Sequence, residues 1–571
     1  MNEANQPENA TRRQRRSEKH RKRWVFWGVL LLVLLAVVAT ARPVYRWTKT
    51  RRANHFVDQA ESFLTQGKMA EAASKYRAAL QMDPLGYRPL AGAARLATRL
   101  DRPEAGDLWH EVMRLPECTT ADRQDFAGWL LQRGKTATAE KMIEQLLQNA
   151  PDVKTLTLAA RYAGRMGNEA KAIEFARLAV TRAPQGDTAA QFLLAEVLAR
   201  SADPAQRAAA RETLWSVAEH DGPGQRAALE AIARAPELSN DEKSRVLAEL
   251  EKIADPGATT DLLAAELRLQ LQPGAEDQIY EQEIARWGKA DATALVELTR
   301  WLNLHRQFER VLALIPQENA GSTSTLLLSR LDALAGLGRW NEIDAILAGN
   351  DLPLDASVVE SFRARSAQGR GSALDETLHW DRAIAAAGSD SGKLRFVANF
   401  AEQSKASAAA LKAYEQLARS ADDAVYAQRA RQRILETTGD VHAARSAAER
   451  LLTAAPDDPN ALAQLIHLNL LLGTDVEANA AKAQALVAKY PARLSFRVTA
   501  ALGYLRQFNA AAALAQFDAP VPIEWQRTPP GWRAVYAAAL AADDKQDAAR
   551  EIIVTIPLDQ LKPEERELLP K

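Results

Sequence analysis

An all-α solenoid of stacked helical hairpins, preceded by a single transmembrane helix, is the architecture that this 571-residue sequence predicts. Three observations predict it. Alanine is abundant while aromatics make up only 6% of the residues, which favours many thin helix-to-helix contacts over one aromatic-rich core. The chain is too long for one ordinary core. Small and large apolar residues recur along it with a long period, and one uncharged apolar run stands near its start.

The elements follow in order. Residues 1–23 form a basic head, 24–41 the membrane span, 42–52 a basic juxtamembrane linker, 53–204 a first repeat array, 205–400 a stretch of degenerate helical repeats, and 401–571 a second array with a terminal cap. Net charge is zero, but residues 1–52 hold thirteen Lys/Arg against three acids, so the body is mildly acidic. That balance argues against a phosphate-tracking groove for nucleic acid. Cys118 is alone, which excludes an internal disulfide and marks it as a small hydrophobe.

WVFWGVLLLVLLAVVATA, residues 24–41, would cover about 27 Å as a helix, close to the hydrocarbon thickness of a bilayer. Trp24 and Trp27 at one end, with Tyr45 and Trp47 at the other, stand at headgroup level. A cleavable signal ending at Ala39-Thr40-Ala41 is the competing reading, and the apolar run is longer than a typical signal core of roughly 7 to 15 residues. Eight basic residues before the span against five after it place the head inside and the body across the membrane. The basic flanks would also attract anionic lipid. Ala36 and Thr40 make one small-xxx-small pair, and oligomeric state is left open.

The repeats open with Phe56, Ala60 and Phe63, spaced four then three and so on one helical face, followed after Gly67 by Ala72, Tyr76 and Ala79 with the same spacing. Pro84 stops the second helix. Ala72 is followed by Ala105, Ala139 and Ala172 at steps of 33, 34 and 33 residues, and Pro84 by Pro116, Pro151 and Pro184. These residues resemble the tetratricopeptide repeat, a helical hairpin of about 34 residues. The register resumes at Ala410, Tyr414, Leu417 and Ala444, with Pro456 and Pro491 closing successive units. Residues 53–571 have room for about 15 such units. In between, Phe308, Trp340 and Phe508 are expected just after helix joins, while PELSNDEKS, IADPGATTD, GNDLPLD and QGRGS are candidate joints or interruptions. The tail IPLDQLKPEERELLPK is expected to be a terminal cap, with a detachable docking peptide as the alternative.

No catalytic constellation stands out. The eight histidines form no metal-ligand spacing, and there is no phosphate loop and no nucleophile elbow, so neither an enzyme nor a cofactor or metal is expected. The pairs Asp422-Asp423, Asp457-Asp458 and Asp543-Asp544 fall at helix junctions and read as caps and turns. The resemblance implies that the concave surface holds partner proteins or peptides, lined by two positions of each first helix: Val57 and Glu61, Gln124 and Gly128, Thr157 and Arg161, Arg429 and Arg433. Members that clamp chaperone tails carry lysine and asparagine there, from which Val57 and Glu61 depart. The layout is similar to single-span bacterial inner-membrane members with a periplasmic array, implying a scaffold for envelope assembly, protein export or polysaccharide secretion. The alternative is a cytoplasm-facing regulator of lipid or lipopolysaccharide synthesis, although the member it would resemble ends in a cysteine-ligated module that one Cys cannot supply. An enzyme with an unfamiliar site comes third.

Overall fold

The computed structural model describes residues 48–570 except 103, 185–186, 202, 221–222, 237, 318–322, 350 and 519–522. The membrane span expected at 24–41, the head before it and residues 42–47 of the linker lie outside the described residues. Among the described residues no helix is long and apolar enough to cross a membrane, and there is no strand. Among the described residues, helices before and after the stretch Thr120–Asn149 pair into consecutive hairpins: 48–65 with Met69–Met82 and Tyr87–Arg99 with Ala105–Arg114, then twelve more from Val153–Arg165 with Glu169–Arg182 to Pro530–Ala542 with Gln546–Val554. The build is an all-α solenoid resembling tetratricopeptide-repeat proteins.

Local chemistry explains the punctuation. Helices ending at Met82, Arg114, Asn149, Arg182, Ala454 and Lys489 each have proline two residues on, where a ring that blocks the hydrogen-bond ladder costs the helix nothing. Many first helices begin with an aspartate whose carboxylate accepts from the first free N–H groups: Asp152 from Thr155 N at 2.8 Å, Asp291 from Ala294 N at 2.9 Å, Asp390 from Lys393 N at 3.0 Å. Ser239 and Glu242 form a reciprocal capping box at the start of Asn240–Leu250, so the second half of PELSNDEKS, from Ser239 on, is a helix start. QGRGS likewise joins the two helices of one hairpin, Ala356–Gly369 and Ala373–Ala387, and interrupts nothing.

The chain divides into two compact units, residues up to Trp129 and residues from Leu130 onward, with the boundary inside helix Thr120–Gln132. In the first unit Ala60, Ala72 and Ala79 are fully buried and Tyr76 nearly so. The small side chains let the backbones close up, and Tyr76 presses on Gly92 of the next hairpin, where a Cβ would run into its ring. Trp109 is fully buried, its Nε1–H donating to Thr98 Oγ1 at 2.8 Å.

In the second unit first helices pack on one another: Gly257–Leu271 on Ala292–Leu304, and Pro459–Leu471 on Leu494–Arg506, which packs in turn on Pro530–Ala542. That contact puts first helices on the inside of the bend. One apolar cluster runs from Ala195 to Leu267, a larger one from Leu262 to Ile434 and another from Leu435 to Ala539, so residues 205–400 are cored by two clusters although the repeat register is faint there.

Candidate partner-binding site

The second unit winds far enough to meet itself. Turns near residues 134–171 lie against turns near 395–493, and the contact repeats. Gly134, in the left-handed region at φ 73°, leaves room for the Arg395 guanidinium, while Asp422 Oδ1 accepts from Ala137 N at 3.1 Å and Thr138 N at 3.2 Å. Asp422 thus caps helix Thr136–Asn149 from 285 residues away. One repeat further on, Gly167 at φ 82° leaves room for Arg429, and Lys171 Nζ donates to Asp457 Oδ2 at 2.7 Å. That pairing holds the Asp457 carboxyl below its usual range. Arg429 Nη1 donates to the Arg165 carbonyl at 2.8 Å and Nη2 to Asp458 Oδ2 at 2.8 Å. Met166 packs on the cluster of Val425, Leu451, Ala455 and Ala461, and Arg493 pairs with Glu169 beyond it.

The aspartate doublets therefore act as the sequence predicts in part. Asp458 caps its own helix through Asn460 N at 2.9 Å. Asp423 accepts instead from Ser391 Oγ at 2.6 Å and Arg395 Nε at 2.8 Å, and Asp422 serves a distant helix. What periodicity could not reveal is the pairing of the two series. Gly134 and Gly167 are 33 residues apart and Asp422 and Asp457 are 35 apart, but nothing local says they meet.

The residues assigned to a concave groove divide accordingly. Val57 is 1% exposed and belongs to the first hairpin's core with Ala72 and Tyr76, a correction to its placement on the groove: the helix turns it toward the second helix. Gln124 is also buried, at 4%, because its position on Thr120–Gln132 faces inward. Glu61 is exposed and lies 3.4 Å from Arg88. Gly128 is half-buried. Thr157 is half-buried and returns its hydroxyl to Val153 O at 2.8 Å, while Arg161 is exposed on the same face. Arg433 is exposed and reaches Glu402 with two nitrogens, Nε at 3.0 Å and Nη2 at 2.8 Å. Arg429 is not a free cation, since the seam holds it.

Arg165, Arg200 and Arg395 join this set, and spacing within a single helix could have flagged Arg165 alone, four residues after Arg161. Partial loss of solvent around its side chain and the like charges of Arg395, Arg200 and Arg161 push the surface residue Arg165 below the usual arginine range. A cavity of about 440 Å³ opens beside the seam between Gly167 on one side and Arg429, Gln432, Arg433 and Gln464 on the other.

The tail folds back as a cap. Leu561 is buried with Ala534 and Ile556, and the Glu565 carboxylate, 5% exposed, sits against Gly531, where a Cβ would displace it. A second cavity of about 990 Å³ lies between this tail and His467, Thr499 and Trp532. Burial pulls His467 down to about 4. Elsewhere, Asp261 and Glu283 are buried among Arg286 at 2.6 Å and Arg268 at 3.2 Å, and burial beside Asp261 raises Glu283. This set ties helix Gly257–Leu271 to Glu276–Trp287. Among the described residues no three His, Cys, Asp or Glu side chains converge to hold a metal.

No family model matches the chain, and no curated protein matches it. Several solved structures are similar. The APC/C hetero-tetramer Cut9–Hcn1 aligns at 13% identity over 91% of this chain and 96% of its own, with a TM-score of 0.29. Yeast Tom70 aligns at 13% identity over 89% and 99%, with a TM-score of 0.29. The human IFIT1 dimer with PPP-AAAA aligns at 17% identity over 59% and 73%, with a TM-score of 0.31. At such scores the likeness is one of helical build.

Proposed function

We propose that this protein is a membrane-anchored scaffold that binds partner proteins or peptides on the inner face of its helical array. The observation that carries the reading is the run of hairpins in the second unit whose first helices pack on one another, since a surface built that way is extended and suits large ligands. The uncharged run 24–41 behind a basic head supports the anchor, and eight basic residues against five support a body on the far side of a bacterial inner membrane. In that position it would recruit proteins for envelope assembly, export or polysaccharide secretion.

Two experiments test it. A protease added to cells with a permeabilised outer membrane should degrade the body and spare the head, and the reverse protection would reject the topology. Crosslinking in living cells should trap specific proteins on first-helix positions such as Arg161; trapping none there would reject the scaffold role.

A further inference from the structure

The scaffold reading leaves the client's chemistry open, and the seam narrows it. Arg395, Arg429 and Arg433 each have a carboxylate in contact, from Asp423, Asp458 and Glu402. Arg200 has Glu196 at 2.9 Å. Arg161 and Arg165 differ: both are exposed, they stand one helical turn apart, and among the described residues neither has a carboxylate within ion-pair distance. The charges that Arg165 feels are those of Arg161, Arg200 and Arg395, all of one sign. Close to the Arg165 carbonyl lies the 440 Å³ cavity, whose wall carries the amides of Gln432, Asn460 and Gln464, the guanidinium groups of Arg429 and Arg433, and the carboxylates of Glu436 and Asp458, of which Asp458 is paired with Arg429. Arg161 and Arg165 share one helix, and the cavity stands beside them because the array returns on itself: Arg429, 264 residues away, donates to the Arg165 carbonyl at 2.8 Å.

We infer that an acidic segment of a partner protein docks across this seam, with its carboxylates on Arg161 and Arg165 and its backbone along the amides of the neighbouring cavity. The inference rests on the scaffold reading and names the client's chemistry. Guanidinium forks match carboxylates with two parallel hydrogen bonds, so two uncompensated arginines suit a short acidic stretch. A nucleic-acid backbone needs a longer basic track than two uncompensated cations provide. A bilayer surface calls for an open basic face, whereas this patch lies in a seam between two turns of the array.

The test uses the full-length chain in neutral detergent and a fluorescein-labelled ten-residue peptide of alternating Glu and Gly, read by anisotropy. Saturable, salt-sensitive binding is expected, weakened at least about tenfold in the Arg161→Glu/Arg165→Glu variant with helical content and melting unchanged. Arg161→Lys/Arg165→Lys should fall between the two, and it serves as the readout if the reversed variant does not fold. The carbonyl of residue 165 is kept in both, so the seam bond from Arg429 survives. No binding by the wild type, equal affinity in all variants, or a greater loss of oligonucleotide or anionic-vesicle binding than of peptide binding in the double variant would each overturn the inference. If in-cell crosslinks to partner proteins persist unchanged in the double variant, the scaffold role stands and the acidic-client inference falls. If the wild type traps nothing, the scaffold role itself falls.

Discussion

The hairpin Val153–Arg165/Glu169–Arg182 and the hairpins between residues 292 and 369 solve the same packing problem with different residues. The first brings its helices together with alanine: Ala159, Ala160, Ala172, Ala176 and Ala179 are buried, and side chains that small let the backbones close up. The second stretch uses leucine cores, Leu298, Leu302, Leu331 and Leu334, and obtains close approach by setting an aromatic ring on a glycine of the next hairpin. Phe308 covers Gly336 and Trp340 covers Gly369, so tightly that a Cβ on either glycine would overlap the ring. The glycine follows its aromatic by 28 or 29 residues, not by the repeat length. A period defined by alanine therefore fades in the middle although the hairpins continue.

The third residue of the aromatic series behaves differently. Phe508 is 97% exposed, on a left-handed turn at φ 58°. Twenty-eight residues after it stands Tyr536 instead of a glycine, and Tyr536 is already stacked on Trp525 at 4.1 Å. With no gap to enter, the ring stays in solvent.

Four measurements sharpen or break the contrast. The largest effect should come from the aromatic core of the middle. Trp380→Ala should cost about 3–5 kcal/mol in urea unfolding, and a loss near that expected of an exposed residue would mean the middle is not held by its rings.

Acid should act on the opposite, alanine-rich flank through His467. Its folded value of about 4 lies below the unfolded 6.5, so the unfolded chain takes up the proton first and stability falls as pH drops from 6.5 to 4. The loss is on the order of 3 kcal/mol at most. His467→Gln should remove that part of the decline, and an unchanged pH profile in the variant would contradict the burial that causes it.

Next come paired glycine substitutions. Gly369→Ala should destabilise by about 1–3 kcal/mol because the methyl meets the Trp340 indole. Gly164→Ala, with nothing near its Cβ position, should stabilise by roughly 0.5–1 kcal/mol through helix propensity. Equal effects at the two sites would erase the distinction between the regions. The most local change is Asp422→Ala, about 0.5–2 kcal/mol for a lost cap, visible as faster amide exchange at Ala137 and Thr138. Unaltered exchange there would show that the seam does not hold helix Thr136–Asn149.

Much of the architecture is local and so was legible. Prolines two residues past helix ends, aspartates at helix starts and the small-large-small faces all act within a few residues of themselves. The middle was harder because its signal is split between an aromatic in one hairpin and a glycine in the next. Among the groove residues, Thr157, Arg161, Arg429 and Arg433 lie on faces that reach solvent, whereas Val57 and Gln124 do not, because a position copied from a repeat pattern carries no information about a local rotation of its helix.

The sequence by itself determined that this chain makes helices, where many of them stop, and that those of the two legible arrays pair into hairpins, since helix propensity, capping and face periodicity are short-range. Only the tertiary structure decided which hairpins meet again after the array has turned. Small angles between neighbouring hairpins add up over some 260 to 290 residues before Lys171 finds Asp457 and Arg429 finds the Arg165 carbonyl. No single residue encodes that sum, and the cavity at the seam exists only as its consequence.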